Sequence, residues 1–222
     1  MKREIMTTGD GSKTIHMPEL NEQYHSKHGA LQEARHVFIK MGLQHFLESV
    51  TADLKSIRIL EYGFGTGLNA LLTAQYPTSC KVDYTGVEAF PITNDEIEAM
   101  DYGSMLNDIA LFSSLHQAIW EQQETISDQF KLTKRQLKFE QIDFDNSFDL
   151  IYFDAFGPRT QPELWSLEIF ESAYKALSNT GVLVTYCAAG QVRRNLQEAG
   201  FQVERLPGPP GKREMLRGRK VV

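Results

Sequence analysis

Three carboxylates and one run of alternating glycines hold the chemistry-bearing pattern of this 222-residue sequence. The run is Glu61-Tyr-Gly63-Phe-Gly65-Thr-Gly67, set between a strand-like apolar stretch and a helix-like one. A chain that turns sharply there and admits a ligand close to its backbone needs residues without a Cβ. The helix start adds free N–H groups and a positive dipole end. Dinucleotide folds use such a turn for a pyrophosphate, with the spacing Gly-x-Gly-x-x-Gly. Here the spacing is Gly-x-Gly-x-Gly, and an acid, Glu61, stands at the strand end. A cationic amino-acid group is welcome beside that acid; a bare pyrophosphate is not. The pattern therefore leans from a nicotinamide dinucleotide towards S-adenosylmethionine (SAM).

Glu88 ends the next strand-like stretch, 25 residues after Gly63. A carboxylate at that point can accept both ribose hydroxyls of an adenosine. Asp154-Ala-Phe156-Gly-Pro158 follows a short apolar run, Asp149–Phe153. A carboxylate there can orient or deprotonate an amine, with Phe156 and Pro158 as an apolar wall. A tight turn and a turn-forming Asp are the plainer readings of these features taken singly. Turn, strand, helix and downstream acid occurring together favour a nucleoside-cofactor site.

Elements must bring these residues together. Strands are predicted at Lys13–Met17, Ser56–Tyr62, Lys81–Glu88, Lys131–Leu137, Asp149–Phe153, Gly181–Tyr186, Phe201–Leu206 and Glu214–Gly218. Helices are predicted over 31–49, Thr66–Ala74, Thr93–Met100, Asn107–Gln123, Pro162–Leu177 and Gln191–Ala199. Asp149–Phe153 lacks polar alternation, as a strand buried on both faces does. Strands alternating with helices predict an α/β, Rossmann-like fold with a mostly parallel sheet. The Gly-Pro-Pro-Gly stretch at Gly208–Gly211 predicts an antiparallel last strand. Residues 1–50 read as an N-terminal extension and a helix packing on the core, and 51–222 as the cofactor-binding domain.

Composition bounds the function. No run of about 18 apolar residues is present and Met1-Lys-Arg-Glu-Ile opens no apolar signal segment, so neither a membrane span nor secretion is expected. Cys80 and Cys187 lie far apart, which fits a reducing, cytoplasmic setting. Of six histidines only His25 and His28 are close, and no acid or thiol completes a set, so no metal is expected. Trp120 and Trp165 read as packing residues. Net charge is −6, but residues 193–222 hold eight Lys/Arg against three acids. A basic end on an acidic body can hold a polyanion locally.

Further along, these motifs resemble a known family, the methyltransferase domain of MnmC. The resemblance is carried by Glu-Tyr-Gly-Phe-Gly-Thr-Gly-Leu-Asn (61–69), Val-Glu-Ala-Phe-Pro-Ile-Thr (87–93) and Phe-Asp-Ala-Phe-Gly-Pro-Arg-Thr-Gln-Pro-Glu-Leu-Trp (153–165). Val-Arg-Arg-Asn-Leu-Gln-Glu-Ala-Gly-Phe (192–201), Gly-Lys-Arg-Glu-Met-Leu (211–216) and Tyr24-His-Ser-Lys-His-Gly-Ala-Leu-Gln-Glu33-Ala-Arg35 add to it. It implies a class I methyltransferase with a seven-stranded sheet and SAM as cofactor. It also implies methylation of 5-aminomethyl-2-thiouridine at the tRNA wobble position, the aminomethyl group coming from a separate enzyme. In many members a flavin-dependent oxidoreductase domain follows; this sequence ends at Val222, so flavin chemistry is not expected of it.

The resemblance also implies roles. Glu61, Gly63, Phe64, Gly65, Thr66, Gly67 and Asn69 would hold the methionine part and Glu88 the ribose, with Tyr24, Ser26 and Glu33 closing over them. Asp154 would take the amine proton. Arg193, Arg194, Lys212 and Arg213 would meet tRNA phosphates. The family's Gly-Asp pair, which faces the adenine amine, is replaced here by Leu137-Lys-Phe-Glu-Gln-Ile-Asp143. Asp143 is the favoured substitute and Glu140 the other. Two competing readings are a small-amine or polyamine methyl- or aminopropyltransferase, and a SAM-binding scaffold without catalysis.

Overall fold

Eight strands form one central sheet in a computed structural model that describes residues 2–50 and 54–221. In chain order the elements begin with strands β1 (Glu4–Thr7), β2 (Lys13–Met17) and β3 (Glu22–Gln23), which make a separate small sheet. A continuous helical run follows: α1 (Ala30–Ala34), a π-helical stretch (Arg35–Gln44) and α2 (His45–Ser49). Then come β4 (Ser56–Tyr62), α3 (Leu68–Ala74), β5 (Lys81–Val87), α4 (Asn94–Met100), α5 (Tyr102–Met105) and α6 (Ile109–Gln117). β6 (Gln123–Ser127), β7 (Phe130–Arg135), β8 (Phe148–Phe153), α7 (Leu167–Ala176), β9 (Leu177–Thr185), α8 (Gly190–Glu198), β10 (Gln202–Pro207) and β11 (Glu214–Arg219) complete the chain. The expected domain boundary at 50/51 adjoins residues 51–53, which lie outside the described residues.

The sheet order is β10-β11-β9-β8-β4-β5-β7-β6. β7, β5, β4, β8 and β9 run parallel, and β11 is inserted antiparallel between β9 and β10. The parallel core and the antiparallel last strand agree with the sequence. The strand count does not: β6 adds an antiparallel eighth strand at the edge. The sequence predicts one helix over 107–123. The helix stops at Gln117, and Gln123–Ser127 alternates half-buried and exposed residues as an edge strand does.

The central strands are apolar on both faces, and alternation sends successive side chains to opposite sides. In β8, Leu150 and Tyr152 join the core beneath α1–α3, while Ile151 and Phe153 join the core beneath α7 and α8. In β4, Ile57 and Ile59 face the first core and Leu60 and Tyr62 the second. α7 turns Ile169, Phe170, Ala173 and Ala176 inward, a three- and four-residue spacing, and starts at Ser166, which caps the Ile169 N–H.

Register fixes the position of the site. Tyr62 pairs with Val87 on one side and Phe153 on the other. The next residue on each strand is therefore Gly63, Glu88 and Asp154. All three emerge side by side at the carboxyl edge of a parallel sheet, where open α/β folds bind ligands.

Candidate functional site

A cavity of about 810 Å³ opens at this edge, walled by Gly63, Phe64, Gly65, Thr66, Asn69, Glu88 and Asp154. The glycine turn is held by the Gly63 and Phe64 N–H groups donating to the Val87 carbonyl, at 3.0 and 2.9 Å. Gly63, Gly65 and Gly67 all have positive φ, at 91°, 51° and 73°. At Gly63 a Cβ would also run into the Asp154 carbonyl. Sharp turning and close approach thus both demand glycine there. Glu88 accepts from the Gly65 N–H at 3.0 Å and the Phe90 N–H at 2.9 Å, which fixes its carboxylate on the cavity wall.

Asp154 is half-buried and faces the cavity. Its Oδ2 accepts from Asn69 Nδ2 at 2.9 Å. The same nitrogen donates to Glu61 Oε1 at 2.8 Å, and Tyr84 donates to Glu61 Oε2 at 2.8 Å. The two carboxyl groups share this one side-chain nitrogen, which sets the amide with its oxygen turned away from both. Asn69 Oδ1 is left buried without a partner. Burial pushes the Asp154 carboxyl up to about 7, with the Glu33 charge adding to the rise. Burial also raises Glu61 far above the usual carboxylate range.

Several expected residues lie elsewhere. Glu61 is fully buried behind the wall and reaches the cavity only through Asn69. Asp143 is corrected: it stands in solvent, paired with Lys175 at 2.7 Å, while Glu140 lines the cavity. The short 3-10 turn Phe139–Gln141 buries Phe139 and leaves Glu140 exposed at the cavity rim, two residues before the chain carries Asp143 away. Gly67 sits behind the wall as the cap of α3, against His116. Pro158 is half-buried off the cavity; Phe156 does line it, held by Trp165 Nε1 donating to its carbonyl at 2.7 Å.

Of the N-terminal residues, Tyr24 lines the cavity, set edge-on to Phe156 with ring centroids 5.0 Å apart. Ser26 and Glu33 lie behind it, where the Ser26 N–H donates to Glu33 Oε2 at 2.9 Å. Lys212, expected on the tRNA face, is turned inward and contacts Glu33 at 2.5 Å. The fold buries Glu33 within its reach, and a buried acid left without a cation is costly. Arg194 and Arg213 are exposed and Arg193 is half-buried.

Arg3 carries no signal in the sequence. Immediately before β1, it donates to the Phe90 carbonyl at 2.9 Å and to Glu96 at 3.1 Å, at the cavity rim. His25 also lines the cavity, and burial lowers its imidazole to about 4, so it is neutral. Both fall in a polar segment whose short strands have no long periodicity; Arg3 leads into the pairing of β1 with β2, and the His25 N–H donates to the Thr14 hydroxyl of β2 at 3.0 Å. Among the described residues no helix is long and apolar enough to cross a membrane, and no three His, Cys, Asp or Glu are grouped to hold a metal.

Residues 108–221 match the family model described as S-adenosyl-L-methionine-dependent methyltransferase. The chain is 30% identical to the tRNA 5-methylaminomethyl-2-thiouridine biosynthesis bifunctional protein MnmC of Hydrogenovibrio crunogenus, over 98% of this chain and 34% of the relative. It is 33% identical to the MnmC of Delftia acidovorans, over 91% of this chain and 33% of the relative. It thus spans about a third of the length of these relatives. The crystal structure of MNMC2 from Aquifex aeolicus superposes with a TM-score of 0.73 at 25% identity, covering 98% of this chain and 70% of that one.

Proposed function

Because the chain belongs to the S-adenosyl-L-methionine-dependent methyltransferases, on the branch that includes the methyltransferase part of MnmC, we propose that it methylates the amine of 5-aminomethyl-2-thiouridine at the tRNA wobble position. The observation that carries this is the placement of Asp154. A carboxyl group with a proton affinity near neutrality faces the same cavity as the glycine turn and Glu88.

The cavity suits an adenosyl amino acid. Three glycines leave the backbone bare, Glu88 offers a carboxylate to ribose hydroxyls, and Asn69 Oδ1 is a buried acceptor in need of a donor. Gly63, Gly65 and Asn69 would hold the amino-acid end, Glu88 the ribose, and Glu140 the base edge. When bound, SAM supplies an electrophilic methyl group that needs no further activation.

The residues then have two tasks, positioning the amine and removing its proton. An alkylamine is mostly protonated at neutral pH and must lose that proton to be a nucleophile. Asp154 Oδ takes it, and Asn69 holds the carboxylate in place. Tyr24 and Phe156 shield this corner from water. The exposed Arg194 and Arg213, with Arg193, contact tRNA phosphates.

The test is transfer of labelled methyl from SAM to tRNA bearing 5-aminomethyl-2-thiouridine, with unmodified tRNA and a polyamine as controls. Labelling of the modified tRNA alone is expected. Labelling of the polyamine instead would replace the RNA substrate with a small amine. SAM binding without transfer to any acceptor would leave a scaffold.

A further inference from the structure

Lys212 sits in the loop between β10 and β11, its N–H donating to the Pro209 carbonyl at 2.9 Å. Its ammonium lies 2.5 Å from Glu33 Oε1 and 3.7 Å from the centre of the Tyr186 ring. Glu33, on α1, is buried, and its other oxygen accepts from the Ser26 N–H. The Tyr186 hydroxyl donates at 2.8 Å to the carbonyl of Ala155, next to Asp154. One lysine thus joins the C-terminal hairpin, α1 and the strand end that carries Asp154.

The charges around Asp154 are unequal. It faces Glu61 of β4 across Asn69, Glu33 of α1, Tyr186 after β9 and Lys212 of the hairpin. Tyr84 of β5 lies beyond Glu61. Only Lys212 is a cation. Among the described residues neither Glu61 nor Asp154 has an ion-pair partner, whereas Glu33 has Lys212. A buried carboxylate that loses its only cation leaves its full charge acting on its neighbours through a medium of low dielectric.

We propose that Lys212 and Glu33 are a positioning pair that sets the charge state of Asp154 and fastens the β10–β11 hairpin over it. Lys212 offsets the Glu33 charge at the strand end that carries Asp154. The two members act on Asp154 in opposite senses, Glu33 favouring its protonated form and Lys212 its ionised form. This rests on reading Asp154 as the proton acceptor in methyl transfer.

The experiment follows the Asp154 carboxyl by ¹³C NMR in the cofactor-free full chain with labelled aspartate, assigned by its loss in Asp154→Asn. Lys212→Met should move the Asp154 titration to higher pH by about one unit, and Glu33→Gln to lower pH by a similar amount. The double variant should titrate near the original pH, and Lys212→Arg should restore it. The acid limb of methyl transfer should move in parallel. A merely structural role would lower the rate at every pH and leave the titration in place. Single variants that leave the titration unmoved, or shift it in the same direction, overturn the proposal. Should Lys212→Met fail to fold, the shift in Glu33→Gln decides alone. Failure of the tRNA reading is distinct, since there the titrations would move as stated while no tRNA is labelled.

Discussion

Asn69 Nδ2 lies 2.9 Å from Asp154 Oδ2 and donates to it with the nitrogen that also serves Glu61. One amide on the first turn of α3 therefore aims the candidate proton acceptor and keeps two acids apart. Asn69→Leu should leave both carboxylates without that donor. Methyl transfer should fall about 10- to 100-fold, and the acid limb should rise, because a hydrogen bond favouring ionised Asp154 is gone. A pH–rate profile checks both.

Asp154→Asn should slow methyl transfer about 100-fold or more while SAM affinity, measured by titration calorimetry, stays within a few-fold. In the unaltered protein the rate should climb as pH rises through about 7, because the ionised carboxylate is the active form.

The same carboxyl links to stability. Its proton affinity is raised on folding, so between its ordinary value and about 7 the folded chain holds a proton that the unfolded chain has released. Its contribution is therefore lost as pH rises through that window. Asp154→Asn removes the linkage and should raise the melting temperature at pH 8 by about 2–4 °C per kcal/mol recovered, with little change at pH 4. Thermal melts at the two pH values check this.

Glu140 and Asp143 separate cleanly. Glu140→Ala should weaken SAM binding several-fold, whereas Asp143→Ala should leave it unchanged, since its partner is the solvent-facing Lys175. Equilibrium binding of the two variants decides which acid belongs to the cavity.

The surface arginines should act through charge. Replacing Arg193, Arg194 and Arg213 together by Ala should weaken tRNA binding about tenfold or more at low salt. The slope of log affinity against log salt should become shallower by about two to three. Filter binding across a salt series measures both.

The sequence by itself determined the chemistry that depends on one strand and the turn after it. Gly63, Gly65 and Gly67 were recognisable because only residues without a Cβ tolerate their backbone angles. Asp154 was recognisable because it follows an apolar run, and Glu88 because it ends a strand-like stretch, positions that mark the carboxyl edge of a sheet. The parallel sheet followed from strands alternating with helices. Tertiary structure decided what depends on neighbours distant in the chain. It put Glu61 behind Asn69 rather than on the cavity, sent Asp143 to solvent, added β6 to the edge and brought Arg3 to the rim. It also drew Lys212 across 179 positions to Glu33, where local composition had placed it on an outward basic face. The physical reason is that backbone angles and strand burial are properties of short segments. The direction of a charged side chain is set by whichever opposite charge the fold has buried within its reach.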